Sequence, residues 1–486
     1  MFFDIKNILA KNKLIILLIL VGVFLRFYKL GEFATFLGDQ GRDAIIIKRI
    51  VTFEHFPAIG PISSIGQVFL GPFYYYLMAP FLAITKLNPI GLAYGSALLA
   101  IIGFICAYLV IRKEINKTVA GFFLFLLIFS AVQVEASRFS WNPNLLPIFS
   151  FFTLYFLYKA ITAKKYLWSI LFGTFLALSI QLHYLAMFLL VPSLIFFILH
   201  DKNFWQIGCL KRIFVSLLTF LFFSSPLIIF DLKHNFLNVK NFIKVFTEQN
   251  VVAYSTPLSR LLTTNNAFFS HVFNLNLNTY VTFLIFLALV FYFYKNNFFK
   301  GKLFLQLNFL NFFFYILSFS LLNSNRLAHY YTQIYLSFFL VIACLFADFA
   351  KVRLLKFIVF IFLLIYVFLN VPKYPFYHKE GNFQIWRAKM IAQSIIEKNP
   401  QSPYQVVPIP FTEMDGHIRY FLEIMDKRPL SEESSDQPKE LYILCYEKEC
   451  DALNHPQWQI AAFISKKVEK TWKIDRVKIY KLVHGK

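Results

Sequence analysis

The sequence predicts a polytopic α-helical membrane protein of about eleven spans, followed by a small extracytoplasmic α/β domain. Of the 486 residues, 58% are hydrophobic and 63 are Phe, whereas soluble domains are about 45–50% apolar. Long apolar runs recur up to residue 372, bounded by Lys/Arg clusters or polar turns, and the composition changes abruptly after Pro372. These observations indicate a multi-span domain over residues 1–372 and a separate domain over residues 373–486.

Each apolar run is close to the length that a spanning helix needs. That length is about 20 residues, because the hydrocarbon core cannot hydrogen-bond exposed backbone groups. The first run is long and has no clear small-residue cleavage site after it, so we expect it to remain as the first span. The predicted spans are residues 13–30, 88–111, 118–136, 143–160, 165–181, 184–200, 211–230, 279–294, 302–322, 329–349 and 353–371.

The distribution of basic residues predicts the orientation. With a cytoplasmic N-terminus, each inner segment carries three Lys or Arg, whereas the short outer turns carry one at most. The positive-inside rule then fixes the N-terminus in the cytoplasm, and an odd number of spans places the tail outside. The long segment 31–87 becomes an outer loop. The basic inner segments are residues 1–13, 112–117, 159–165, 202–212, 295–302 and 351–356.

The net charge of +22 does not indicate nucleic-acid binding. Residues 373–486 hold 18 Lys or Arg and 15 Asp or Glu, so most of the excess lies in the membrane part, largely in its inner segments. We therefore expect membrane lipids as partners and no nucleic acid. Any remaining excess at the outer face would attract anionic head groups or a phosphate-bearing substrate.

The tail pattern is that of a small α/β domain. Helical spacing occurs over residues 386–398 and 413–427, and strand patterns occur over 404–408, 441–446 and 472–483, the last as a strand or a hairpin. Cys445 and Cys450 lie on the predicted oxidising side, where a local disulfide and two free thiols are equally open outcomes.

Acidic residues are rare in the membrane part and are therefore candidates for chemistry. Residues 1–372 hold only eleven Asp or Glu, and Asp39 and Asp43 follow directly after the first span. In a helix these two carboxylates share a face, so one can act as a base while the other pairs with a nearby arginine. Gly38 and Gly41 flank Asp39 and are expected to permit close approach of a substrate.

The other predicted outer segments contribute further polar residues that are candidates for binding a substrate. For each single residue the alternative is a structural role, such as an ion pair with a neighbouring acid or a contact to lipid phosphate. His183 is more typical of a satisfied interfacial histidine than of a metal ligand, and no metal site is predicted. No Walker A loop, Rossmann glycine fingerprint or His-Glu-x-x-His motif is present. The candidate binding residues are Arg42, Tyr75, Arg138, His183, Arg326, His329, Tyr330 and Tyr331.

Several motifs follow one another in order along the predicted spans and outer segments. They are Arg26 near the outer end of the first span, the acidic loop at Asp39, an interfacial amphipathic segment, the stretch Gly71-Pro72-Phe73-Tyr74-Tyr75-Tyr76, and the turn Ala136-Ser137-Arg138. Over roughly residues 10–372 this order resembles the GT-C glycosyltransferases. The closest resemblance is to glycosyltransferase family 39, which includes protein O-mannosyltransferases and lipid A aminoarabinose transferases.

The resemblance implies transfer of a sugar from a polyprenyl-phosphate donor at the extracytoplasmic side of a bacterial-type plasma membrane, with the acid after the first span near the acceptor hydroxyl. Asp39 matches that acid. The family commonly has a second acid directly after it, but Gln40 stands there in this sequence, and whether Asp43 takes over is open. The acceptor, whether lipid, protein or polysaccharide, and the use of a divalent metal are open as well.

Elementary chemistry agrees with this function. Displacing a lipid phosphate from an anomeric carbon needs a carboxylate to take the acceptor proton and cations to hold the leaving phosphate. Asp39 is the predicted base, and Arg138 and Arg326 are the predicted phosphate clamps. His329, Tyr330 and Tyr331 are expected to add donors. Tyr75 and its neighbours would line a lipid or sugar groove, or form an interfacial aromatic belt.

Two other functions fit the same composition. A transporter or flippase of lipid-linked sugars would use a similar basic outer cavity, but it usually has inverted repeats and ionisable residues near the bilayer midplane. The sequence has no clear internal repeat. A noncatalytic scaffold that works through its tail would make the acidic outer loop dispensable.

Overall fold

The structure is a computed structural model that describes residues 13–63, 67–201, 205–247, 256–295, 301–322, 325–432 and 434–485. Four basic residues of the predicted inner segments, Lys6, Lys11, Lys202 and Lys300, lie outside the described residues. So does a small part of the predicted outer loop.

Every predicted span corresponds to a helical segment. In chain order the α-helices of this region are Lys13–Phe27, Leu30–Phe33, Gly38–Val51, Phe73–Ile84, Ile90–Glu114, Lys117–Phe129, Ala131–Arg138, Leu146–Thr162, Tyr166–Leu182, Leu190–His200, Ile207–Lys233, Leu237–Thr247, Pro257–Phe273, Thr279–Lys295, Leu303–Ser320, Tyr335–Phe349 and Arg353–Asn370. Short 3₁₀ turns at Asn142–Leu145, Tyr184–Leu189 and Ala328–Ile334 precede three of them.

The number of spans stays a prediction. Among the described residues, six helices are long and apolar enough to cross a membrane, or seven if the bent pair Lys117–Phe129 and Ala131–Arg138 is one span. This pair bends by 63°, because Ser130 has an extended backbone and its hydroxyl accepts a hydrogen bond from the Gln133 amide at the start of the second helix. The helices at the first, fifth, sixth and eighth predicted spans are shorter.

The tail forms the expected small α/β domain. Helices Gln384–Ile396 and Gly416–Ile424 accompany the strands β1 (Tyr404–Ile409), β2 (Glu440–Cys445), β3 (Lys466–Ile474) and β4 (Val477–His484). The sheet order is β1-β2-β4-β3, with β1 parallel to β2 and the other pairs antiparallel. The last predicted strand is therefore a hairpin. Cys445 and Cys450 form a disulfide. Two short helices complete the tail, Pro375–His378 and Trp458–Ala461.

The chain divides into two compact units. The first consists of Met1–Tyr28, Pro57–Tyr74 and Ser96–Lys379, and the second of Lys29–Phe56, Tyr75–Gly95 and Glu380–Lys486. The second unit thus joins parts of the predicted outer loop to the tail domain, whereas the sequence analysis predicts a boundary near residue 372. The core of the first unit is rich in packed aromatic rings, such as those of Phe268, Phe312 and Phe338.

Candidate active site

The two candidate carboxylates lie on one helix of the second unit, Gly38–Val51. At its start the Gln40 side chain accepts a hydrogen bond from the Leu37 amide at 3.2 Å, which satisfies a backbone donor just before the first turn. Asp39 lies in that first turn, where a negative charge interacts favourably with the helix dipole. Because the helix runs from Gly38 to Val51, Asp39 and Asp43 are one turn apart, as expected.

Arg42 joins the two carboxylates. Its Nη1 donates to Asp39 Oδ1 at 2.9 Å, and its Nε and Nη2 donate to Asp43 Oδ1 at 3.0 and 2.9 Å. Tyr75 Oη donates to the same Asp43 oxygen at 3.2 Å. The sequence-predicted residues Asp39, Arg42, Asp43 and Tyr75 therefore come together in one cluster.

The two carboxylates differ in exposure. The side chain of Asp39 is 41% exposed and that of Asp43 is 2% exposed. Asp43 Oδ2 is buried and has no hydrogen-bond partner among the described residues. Asp39 is therefore the carboxylate that a substrate hydroxyl can reach, whereas Asp43 is placed to hold Arg42.

Burial sets the electrostatics of this cluster. It raises the pKa of the Asp43 carboxyl above the ordinary value of 3.8, although the neighbouring Arg42 and the Tyr75 hydroxyl act in the opposite direction. Burial alone would lower the pKa of Arg42, but Asp43, Tyr75 and Asp39 together raise it. Arg42 therefore stays protonated and can orient both carboxylates.

The glycines beside Asp39 contact protein rather than open space. A Cβ atom on Gly41 would overlap the backbone of Gly416 and His417, and one on Gly38 would overlap the Met414 side chain. These glycines let the Gly38–Val51 helix pack closely against the start of the tail helix Gly416–Ile424. The predicted reason for them, close approach of a substrate, is not needed to explain either position.

Charged residues that the sequence analysis did not single out fix the other end of this helix. Arg49 donates from Nε and Nη2 to the two carboxylate oxygens of Glu423, at 2.9 and 2.8 Å. Lys48 pairs with Glu54 at 2.5 Å and with Glu423 at 3.5 Å. Arg49 and Glu423 are 374 residues apart, so no local pattern could have indicated their contact.

Arg138 belongs to the first unit and contacts the end of the first helix. Its Nη1 donates to the carbonyl oxygens of Leu25, Arg26 and Tyr28 at 3.1, 3.1 and 2.9 Å. These bonds satisfy carbonyls that a helix end leaves without partners. The Arg138 Nη2 atom is buried and has no partner among the described residues. Arg138 is therefore largely a helix-capping residue, and its Nη2 atom is the donor that the cap does not use.

His183, His329 and Tyr330 form a ring cluster in the first unit. The His329 ring lies 4.2 Å from that of Tyr330 and 4.6 Å from that of Trp141, and the His183 ring lies 5.7 Å from that of Tyr330. His183 Nδ1 accepts a hydrogen bond from the Leu185 amide at 3.3 Å, as a helix cap does. The sequence analysis placed His183 at a different outer end from His329 and Tyr330, and the structure brings the three rings together.

Arg326 and Tyr331 are both buried in the same unit. Arg326 Nη2 donates to the Leu322 carbonyl at 2.7 Å, and its guanidinium lies 4.6 Å from the centre of the Phe319 ring. Tyr331 Oη donates to the Thr264 carbonyl at 2.9 Å. Among the described residues, no group of three His, Cys, Asp or Glu is arranged to hold a metal ion.

Comparison with known families gives one partial sequence match. Residues 70–230 match the profile of the family described as Dolichyl-phosphate-mannose-protein mannosyltransferase. A search of curated protein sequences gave no significant match.

Solved structures resemble the fold over nearly the whole chain. ArnT from Cupriavidus metallidurans has a TM-score of 0.63 in the apo state and 0.62 bound to undecaprenyl phosphate, at 12% identity, over 97% of this chain and 98% of ArnT in both. An oligosaccharyltransferase from Archaeoglobus fulgidus in complex with Zn and sulfate has a TM-score of 0.53 at 16% identity, over 85% of this chain and 61% of its own. The predicted resemblance is thereby confirmed: in its fold and in residues 70–230 the chain is similar to GT-C membrane glycosyltransferases of the family 39 type.

Proposed function

We propose that the protein transfers a sugar from a polyprenyl-phosphate donor to an acceptor hydroxyl at the outer face of the membrane. The observation that carries this proposal is the exposed Asp39 carboxylate, held by Arg42, which is itself held by the buried Asp43. The GT-C fold supports the reaction class. ArnT, whose fold is similar, has been solved with undecaprenyl phosphate, a lipid of the same chemical class as the proposed product.

Asp39 is the proposed general base. It takes the proton of the acceptor hydroxyl as the oxygen attacks the anomeric carbon, and the bonding electrons of the departing glycosidic bond leave with the polyprenyl phosphate. Base catalysis of this kind contributes about 10²–10⁴-fold to a rate. The reaction proceeds through an oxocarbenium-like state, as in other glycosyl transfers.

Arg42, Asp43 and Tyr75 are proposed to position the base. Because Asp43 accepts three hydrogen bonds on a single oxygen, it fixes the plane of the Arg42 guanidinium. The fixed guanidinium in turn fixes Asp39. Asp43 is buried and therefore is not the group that meets the acceptor.

The leaving phosphate needs positive charge, for which Arg138 and Arg326 remain the proposed donors. Arg138 would offer its Nη2 atom, because Nη1 already caps the first helix and Nη2 has no partner among the described residues. His329, Tyr330 and His183 are proposed to line the substrate path as a ring cluster. We further propose a cytoplasmic N-terminus and an extracytoplasmic tail, from the basic inner segments.

The direct test is to incubate the purified protein with a polyprenyl-phosphate sugar and candidate acceptors. Release of polyprenyl phosphate together with a glycosylated acceptor supports the proposal. Transbilayer movement of the intact donor without cleavage, in vesicles containing the protein, would instead indicate a flippase.

A further inference from the structure

A small cavity lies in the first unit beside the Ala131–Arg138 helix, and His329 of the ring cluster is part of its lining. Its volume is about 220 Å³, and it lies between that helix, the segment 139–147 and the turn Ala328–Ile334. Sites for drug-sized ligands are usually about 300–1,000 Å³. The cavity therefore suits a single small ring rather than an oligomer.

The lining combines aromatic walls with uncharged and acidic hydrogen-bonding groups. Trp141 and Phe139 stack with ring centres 5.4 Å apart, and Tyr335 adds a third ring. No Lys or Arg is among the described residues that line the cavity, so its walls offer no cation to a phosphate. The polar lining residues are Gln133, Glu135, Asn144, His329 and Thr332.

Gln133 is the unusual member of this lining. Its side chain is buried, with the residue 3% exposed, and its Nε2 atom has no hydrogen-bond partner among the described residues. A buried donor without a partner costs free energy, so such a group calls for an explanation. By contrast, Thr332 and Asn144 donate to the carbonyls of His329 and Phe139.

Glu135, an exposed residue, is the only acid among the described lining residues, and it has no ion pair or hydrogen bond with the described part of the chain. A carboxylate accepts hydrogen bonds, and the Gln133 amide donates them, so the two groups complement hydroxyls. The apolar C–H face of a sugar ring packs on aromatic rings such as that of Trp141. A polyhydroxylated, uncharged ring can both form hydrogen bonds with the polar lining residues and pack on the aromatic rings. A phosphate does not complement this combination.

We propose that this cavity binds a sugar ring, with Gln133 and Glu135 recognising its hydroxyls and Trp141 packing on its face. This inference rests on the proposed transferase function and adds the residues that select the sugar. The ring can come from the lipid-linked donor or from a saccharide acceptor, and binding measurements separate the two sources.

The test is equilibrium binding to the purified full chain of a polyprenyl-phosphate sugar, the bare polyprenyl phosphate and a methyl glycoside. We expect the wild type to bind the sugar-bearing lipid at least about tenfold more tightly than the bare lipid. Gln133→Leu and Trp141→Ala should abolish this preference while leaving affinity for the bare lipid unchanged. Trp458→Ala, an exposed tryptophan of the second unit, is the control.

The Gln133→Leu variant distinguishes a loss of sugar binding from a loss of folding. It removes an unpartnered buried donor, so its thermal stability should equal or exceed that of the wild type. If the preference for the sugar-bearing lipid and the binding of the methyl glycoside both persist in the two cavity variants, the inference is overturned while the transferase proposal stands. If the wild type binds neither lipid, the transferase proposal fails, and methyl glycoside binding that is lost in both variants would still support the cavity assignment. If only the methyl glycoside arm depends on the cavity, the ring belongs to the acceptor.

Discussion

The Arg42 guanidinium donates two hydrogen bonds to a single oxygen of Asp43, at 3.0 and 2.9 Å, and its remaining terminal nitrogen donates to Asp39 at 2.9 Å. A planar fork with several donors is needed for this arrangement, and lysine cannot reproduce it. The exposed carboxylate is thus held by a buried one through arginine.

Arg42→Lys should therefore lower kcat with little change in KM, because Asp39, the proposed base, loses its orientation while the substrate contacts remain. A misplacement of about 1 Å can cost about 10²-fold in rate. Asp43→Asn should lower kcat similarly, and Tyr75→Phe less, since it removes one 3.2 Å hydrogen bond of three. Initial rates over a range of donor concentrations separate kcat from KM. Arg476→Lys, at an exposed position, is the control, and a rise in KM alone would argue for a binding role.

The close packing at Gly41 gives a prediction for stability. Gly41→Ala would place a methyl group against the backbone of Gly416 and His417, which cannot move as easily as a side chain. Overpacking of this kind typically costs about 1–3 kcal/mol, so the second unit should unfold at lower temperature. Gly31→Ala is the matched control, because a Cβ there meets nothing within 4 Å. Equal melting temperatures for the two variants would contradict the packing.

Asp415 and His417 should affect stability with opposite dependence on pH. Burial raises the pKa of Asp415 from 3.8 to about 7 and lowers the pKa of His417 from 6.5 to about 4. Between pH 4 and 6.5 the folded protein keeps a proton on Asp415 that the unfolded chain loses, and it lacks a proton on His417 that the unfolded chain gains. As pH rises, the Asp415 contribution is therefore lost while the His417 contribution is gained, each by about 1.4 kcal/mol per pH unit.

In the wild type these two opposite dependences of stability on pH largely cancel. A single substitution removes one of them, so that the other can be measured. Asp415→Asn should make the melting temperature rise with pH between about 4 and 6.5. His417→Gln should make it fall as pH rises towards about 7. Tryptophan fluorescence during thermal unfolding of the full chain in detergent measures both. Identical pH profiles for the two variants would show that neither group titrates as described.

The proposed orientation is tested by reporter fusions. A reporter at the C-terminal end should be active outside the cytoplasm, and one placed at Lys113 should be active inside, because the inner segments carry the excess of Lys and Arg. An outer signal at Lys113 would place Asp39 on the cytoplasmic side, away from the face of the proposed transfer. An inner signal at the C-terminal end would contradict the predicted extracytoplasmic tail.

The sequence predicted much of this architecture because its signals are local. Apolar runs located the helical segments of the predicted spans, and alternating patterns located the strands of the tail. The spacing of Asp39, Arg42 and Asp43 along one helix predicted their association. What it could not predict depends on distant contacts: the packing of Gly41 on the tail, the pairing of Arg49 with Glu423, and the capping of the first helix by Arg138.

Donor cleavage by the wild type and by Asp39→Asn, measured side by side, tests the central claim most directly. Asp39 is partly exposed, so the variant should fold normally, but an amide cannot take the acceptor proton. We expect the wild type to release polyprenyl phosphate in step with acceptor glycosylation and the variant to be slower by about 100-fold or more. Glu32→Gln, another exposed acid of the same unit, should behave as the wild type. Normal turnover by Asp39→Asn, or intact donor after long incubation of the wild type with every acceptor class, would contradict the account.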